Sequence, residues 1–272
     1  MNYSQTEIDL FSAAYVPDWP AQLQSLSGIA LPESWTFRNV DIDKLLKENY
    51  ILEKYIFAVF RYQMIASQNV PYQELSDQYF HIRSGYACFN TGLVTKRYKP
   101  IYGFLEKNDF GYNHYWRLRG FFDDTSAQMR KVTPLPLKPF FDLMPEQWSF
   151  APNLPIRINV DHILDNTDNM DRIPESIRHF PNLHMLLETS VEIARRIIEI
   201  MPSVVVPQLY QGNVQFLLPI GLTDPKQTDL VMAVTPMKDY YLCSTCLTPH
   251  MAYCNARVLA RPTTPWLTEL VK

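Results

Sequence analysis

The chain has 272 residues, of which 47% are apolar, 13% aromatic and 19% charged. That is enough apolar material for a sizeable core, and it argues against disorder. A net charge of −3 and a pI near 6.1 exclude a general electrostatic coat for long duplexes, yet leave room for a local basic pocket that takes a nucleotide or one RNA end.

Pro at 21 residues against Gly at 8 predicts stiff connections rather than flexible linkers. Cysteine is sparse, at Cys88, Cys243, Cys246 and Cys254. There is no charged-then-apolar leader and no apolar run near the roughly 18 residues of a membrane span. The expectation is a soluble protein of a reducing, cytoplasmic compartment with no membrane partner.

Residues 1–40 read as a strap. Trp19 to Leu26 has helical spacing, with Asp18 as its cap and Pro20 tolerated in the first turn, and an extended Leu31–Trp35 segment follows. Residues 41–67 carry the clearest helix: Asp43 is its candidate cap, and Leu45, Leu46, Tyr50, Leu52, Ile56, Val59, Phe60 and Met64 recur at three and four. Residues 78–272 read as a sheet-rich body. From Tyr79 to Phe122 the apolar period is two. A hairpin turns at Ser84-Gly85, then strands at Pro100–Leu105 and Tyr115–Phe122 complete an antiparallel meander with one apolar and one polar face. Tyr86 to Phe89 is a strand that Asn90-Thr91-Gly92 brings to an abrupt polar turn, one able to aim backbone N–H groups at an anion.

Residues 123–155 lack periodicity. The aromatic loop 134–150, with Phe140, Phe141 and Trp148, is long enough to cover a pocket or to face a protein or oligomer partner. Ile156–Val160 reads as a strand ending in Asp161-His162, and Asn166–Asp171 as a polar loop. A helix over Asn182–Met201 carries Leu183, Leu186, Leu187, Ser190, Val191, Ala194, Ile197 and Ile198 as its expected buried stripe. Val204–Tyr210 and Val214–Pro219 form a hairpin about Gly212, Asp229–Val234 and Tyr240–Thr245 a further pair. Thr248 caps a helix from Pro249 to Leu259. Together these predict a single compact domain of α+β class, with a largely antiparallel sheet and helices packed mainly on one face.

Walker, dinucleotide-binding and G-x-S-x-G sequences are absent. Cys243, Cys246, His250 and Cys254 have the spacing C-x2-C-x3-H-x3-C, and thiolate–imidazole sets suit zinc. Against zinc, residues three apart on a strand point to opposite faces, and buried cysteine is a good small apolar filler. Asp161-His162 is a candidate acid/base pair or a satisfied structural histidine. Tyr253 and Arg257 share a helix face, and Asn255 is a weak choice for a helix interior, so these residues have either a side-chain role or a place on an exposed polar face.

Several segments taken together are similar to a bacterial domain-of-unknown-function family, number 3825. They are Ala30–Trp35, Tyr86–Leu93, Asn159–Ile163, Gln215–Pro219 and Leu247–Leu259, with Cys88–Leu93, Met251–Tyr253 and Asn255–Arg257 the strongest. Members of that family are often joined to cold-shock or OST-HTH (LOTUS) RNA-binding modules, so the resemblance implies RNA metabolism or nucleotide handling. This chain departs from the family pattern at Pro249-His250 and at Cys254, which tells further against zinc.

The expected function is therefore a nucleotide- or RNA-end-binding domain. In its catalytic form His81, Asp161 and His162 would supply acid/base chemistry matched to neutral pH. Asn90, Thr91 and Gly92 would hold phosphate or ribose, and Arg83, Arg172 and Arg257 would offset developing charge. Asn166, Gln215, Tyr253 and Asn255 complete the ligand-binding set. In its other forms the chain is a non-catalytic ligand- or RNA-binding module, or an interaction protein. No cofactor is assigned.

Overall fold

The structure, a computed structural model, describes residues 9–38, 47–68, 76–109, 114–139, 145–210 and 213–272. Asp43, Leu45, Leu46, Phe140, Phe141 and Gly212 lie outside the described residues. Contacts divide the chain into two compact units, Met1–Asp142 and Leu143–Lys272. Each carries a five-stranded, mostly antiparallel sheet with helices against it, so the chain is of the α+β class. No described helix is long and apolar enough to cross a membrane.

In the first unit the elements are α1 (Leu10–Ala13), β1 (Ala14–Tyr15), α2 (Trp19–Ile29), α3 (Tyr50–Gln68), α4 (Ser76–Tyr79), β2 (Phe80–Ile82), β3 (Tyr86–Val94), β4 (Pro100–Lys107) and β5 (Trp116–Asp123). The sheet runs β1-β5-β4-β3-β2, antiparallel except for the parallel β1–β5 pair. α2 begins as its sequence dictates: Asp18 accepts from the Ala21 N–H at 3.3 Å, and Pro20 occupies the first turn. α3 starts at Tyr50, after Asn49 in the left-handed region at φ 59°.

The meander is buried on both faces, which corrects the expectation of one polar face. Ala87, Cys88, Phe89, Asn90 and Thr91 are buried in succession. α3 covers one side, where Phe60 meets Phe89 edge-on at 5.3 Å and Phe80 edge-on at 5.6 Å. On the other side Met129 and Val132 pack with Cys88, Tyr102 and Phe104. An alternation of apolar and polar residues is needed only where one face meets water.

The second unit holds β6 (Ile156–Ile158), α5 (Val160–Asp165), α6 (Thr167–Arg172), α7 (Glu175–Arg178), α8 (Leu183–Ile200), β7 (Val206–Tyr210), β8 (Asn213–Ile220), β9 (Leu230–Pro236), β10 (Tyr241–Leu247), α9 (Pro249–Leu259) and α10 (Pro265–Thr268). Its sheet runs β6-β10-β9-β8-β7, with β6 and β10 parallel. α8 lays Leu187, Val191, Ala194 and Ile198 into a core with Val214, Phe216, Leu218, Met232 and Val234. α9 contacts β7, β9 and β10. It is capped by the Thr248 hydroxyl, which accepts from the Met251 N–H at 3.3 Å.

The strand expected to stop at Asn90 runs on to Val94, with its pairing to β4 broken between Asn90 and Val94. Gly92, at φ 74°, forms the bulge, and an added Cβ would lie 2.6 Å from the Tyr55 hydroxyl and 2.8 Å from Pro139 Cγ. Gly92→Ala therefore combines an unfavourable φ with a clash. It is expected to destabilise the protein by about 1–3 kcal/mol, read as a lower urea midpoint at unchanged slope.

Candidate functional site

In the first unit the residues expected to hold phosphate serve the bulge itself. Asn90 Oδ1 accepts from the Gly92 N–H at 2.9 Å, and its Nδ2 donates to the Pro136 carbonyl at 3.2 Å. The Thr91 hydroxyl donates to the Ile101 carbonyl at 2.7 Å and accepts from the Leu93 N–H at 3.2 Å. From α3, Gln63 Nε2 donates to the Asn90 carbonyl at 2.6 Å and the Tyr55 hydroxyl to the Thr91 carbonyl at 2.9 Å. These bonds engage the two amides that an anion would have needed. The open turn expected from sequence is thus corrected to a closed strand irregularity. His81 is buried within the ladder, opposite Cys88. Arg83 donates to the Ile82 carbonyl at 3.0 Å. Burial pushes the Cys88 thiol up and raises the Tyr102 phenol to about 12.

In the second unit Asp161 and His162 lie in the first turn of α5 and not at a strand end. Asn159 caps that helix, accepting from the His162 N–H at 3.1 Å. Both side chains face solvent, and the nearest partner of Asp161 is His184 at 3.6 Å. The expected loop after Asn166 is α6, with Asn166 Oδ1 accepting from the Asn169 N–H at 2.9 Å.

Arg172 and the unforeseen Asn169 clamp β10. The register of β10 slips between Cys243 and Thr245. Asn169 Oδ1 accepts from the Cys246 N–H at 3.2 Å, and Arg172 Nη1 donates to the Cys246 carbonyl at 2.9 Å and to Asn169 Oδ1 at 3.2 Å. The extra residue puts Cys243, opposite Val234, and Cys246, opposite Met232, on the same face, where both join the α8 core. This corrects the opposite-face expectation. Burial raises Cys243 to about 12 and Cys246 to about 11, with Arg172 acting the other way on Cys246. Their Sγ atoms face the Thr245 and Asn169 carbonyls as thiol donors. Among the described residues, no three His, Cys, Asp or Glu side chains group as a metal set. Burial also lowers the His250 imidazole.

The other face of this sheet carries a polar row. Gln215 lies between Val214 and Phe216, which both enter the α8 core, so its side chain points away from α8. Asn255 Nδ2 on α9 donates to Gln208 Oε1 at 2.9 Å. Gln208 Nε2 donates to Gln215 Oε1, and Gln215 Nε2 to the Thr235 hydroxyl, each at 2.9 Å. The row thus crosses β7, β8 and β9 in one direction of donation. Gln208 is buried, and both polar atoms of its amide are engaged. Gln215, Thr235 and Asn255 are partly exposed. Among the described residues, Asn255 Oδ1 and the Thr235 hydroxyl proton make no further hydrogen bond. Tyr253 and Arg257 are buried on α9, while Met251, Asn255 and Leu259 follow one another at successive turns with partial exposure or more.

The structure therefore joins Gln215 to Asn255 through Gln208, places Tyr253 and Arg257 on the same helix, and places Asn90, Thr91 and Gly92 in the other unit. Gln208 and Thr235 escaped the sequence reading. Their signal was a polar side chain inside an otherwise apolar strand.

Two outcomes test this account. Asn169→Leu leaves the buried Cys246 amide without its acceptor and should cost about 1–3 kcal/mol, whereas Asn169→Asp, which keeps an acceptor, should cost less in the same urea titration. The buried thiols ionise later in the folded state than in the unfolded state. Their contribution is therefore present below the ordinary thiol value of 9.0 and is lost as pH rises from there towards 11 and 12. The urea midpoint should fall between pH 8 and 10, and by less in Cys243→Ala.

The model of one protein family, described as Domain of unknown function (DUF3825), matches residues 26–266, which include parts of both units. No curated protein and no solved structure matches the chain.

Proposed function

This chain belongs to the DUF3825 family, and we propose that it binds a nucleotide or an RNA end on the α9 side of its second unit and acts in RNA metabolism without catalysing a reaction. The observation that carries this reading is the amide row Asn255–Gln208–Gln215–Thr235, whose two ends are partly exposed and keep unused hydrogen-bonding capacity. Amide side chains held in place by their neighbours are recognition groups for polar ligands. A fully engaged buried amide such as Gln208 fixes the geometry of those on either side.

The row contains no group that titrates near neutral pH, which favours binding over proton transfer. The histidines that would have supplied acid/base chemistry stand elsewhere: His81 in the β2–β3 ladder and His162 on the exposed start of α5. The cold-shock and OST-HTH modules expected beside members of the family support an RNA setting. The buried free thiols of Cys88, Cys243 and Cys246 support a reducing, cytoplasmic one.

A thermal-shift panel of nucleoside monophosphates and short RNAs, followed by chromatographic analysis of the ligand, tests the reading. At least one nucleotide or RNA should raise the melting temperature and be recovered intact, and Gln215→Leu, which breaks the row, should weaken that ligand by about tenfold. A panel without any stabilising member sinks the binding claim. A ligand recovered in altered form sinks the non-catalytic part.

A further inference from the structure

The polarity of the amide row says which part of a nucleotide the site would meet first. Gln208 takes one Nδ2 hydrogen of Asn255. The second Nδ2 hydrogen and Oδ1 remain, a donor and an acceptor on one planar group. Met251, one turn before, is exposed, and Leu259, one turn after, is partly exposed. An amide edge between two apolar side chains suits a flat, apolar-faced ligand with an adjacent donor and acceptor along its rim. It offers a phosphate only a single neutral donor.

From this we infer that Asn255 is the specificity-determining residue of the site and that the ligand is held by its nucleobase, edge-on to the Asn255 amide between Met251 and Leu259. The inference rests on the nucleotide-binding reading above and deepens it. Asn and Gln amides pair with bases through a matched donor and acceptor.

The row also predicts how specificity can be changed. In Asn255→Asp the side chain can only accept. Gln208 and Gln215 can each turn their amides over, so that Gln208 donates to the new carboxylate, Gln215 to Gln208, and the Thr235 hydroxyl to Gln215. Every bond of the row is kept with its direction reversed, and the variant should fold. Its carboxylate then presents two acceptors, and among the common bases guanine alone offers two adjacent donors, N1–H and N2–H.

Calorimetric titrations of the full chain with AMP, GMP, ribose 5-phosphate and oligonucleotides ending in A or G test this. Unmodified protein should bind AMP at least about tenfold more tightly than ribose 5-phosphate. Asn255→Asp should raise the ratio of GMP to AMP affinity by about tenfold, a readout that repulsion of the shared phosphate does not move. Asn255→Leu, which cannot pair at all, should reduce AMP to the level of ribose 5-phosphate. The same ratios with oligonucleotide ends identify an RNA terminus as the source, and ratios confined to the mononucleotides identify a free nucleotide. Equal binding of AMP and ribose 5-phosphate, or a GMP-to-AMP ratio unmoved by Asn255→Asp, overturns the base-first assignment while leaving nucleotide binding in place. Absence of binding by every nucleotide and oligonucleotide overturns both.

Discussion

A backbone amide that leaves its ladder inside a protein must find another partner, and in both sheets an asparagine supplies it. In the first unit Asn90 accepts from the Gly92 N–H where β3 parts from β4. In the second, Asn169 reaches from α6 to the Cys246 N–H where β10 slips against β9. Each asparagine is itself held, Asn90 by its own bond to Pro136 and Asn169 by the Arg172 guanidinium. Without Asn169 the buried Cys246 amide would lose its acceptor, at about 1–3 kcal/mol, whereas at the exposed Gly92 the Asn90 amide fixes the shape of the bulge. Much of the packing around the two sheets depends on them.

The second sheet keeps its two faces chemically distinct. Towards α8 it presents Phe216, Leu218, Met232 and Val234, a surface that only apolar side chains can fill. Towards α9 the same strands present Gln208, Gln215 and Thr235. A buried polar row is tolerated only when each member is satisfied. Here satisfaction runs through consecutive side chains, so the geometry of Asn255 is inherited from three strands and not from α9 alone.

The elements of the fold were largely legible in the sequence, because they rest on local rules. Asp18 before Trp19-Pro20 and Thr248 before Pro249 mark their helices through caps that act within three residues. The strand-forming runs Val204–Tyr210, Val214–Pro219, Asp229–Val234 and Tyr240–Thr245 found their strands to within a few residues. The site was less legible, because its residues are defined by partners far along the chain. Asn169 looked like one more loop residue until Cys246, 77 positions away, supplied its role. Asn90 and Thr91 looked available because the sequence does not show that Gln63 and Tyr55 approach from α3. Asp161-His162 was misplaced by one short step, since Asn159 closes a strand and opens a helix at the same point.

The slip in β10 has a consequence for α9. The strand holds one residue more than its partner requires between Cys243 and Thr245. After that residue, Leu247 comes out opposite Val231, a position whose neighbours Leu230 and Met232 both belong to the α8 side. Thr248 and α9 follow at once. Strand parity is binary, so shortening this stretch by one residue would turn Leu247 over and deliver the chain to the wrong side of the sheet. The helix that carries Asn255 thus owes its place to a parity, a dependence that tolerates many changes of side chain but no odd change of count.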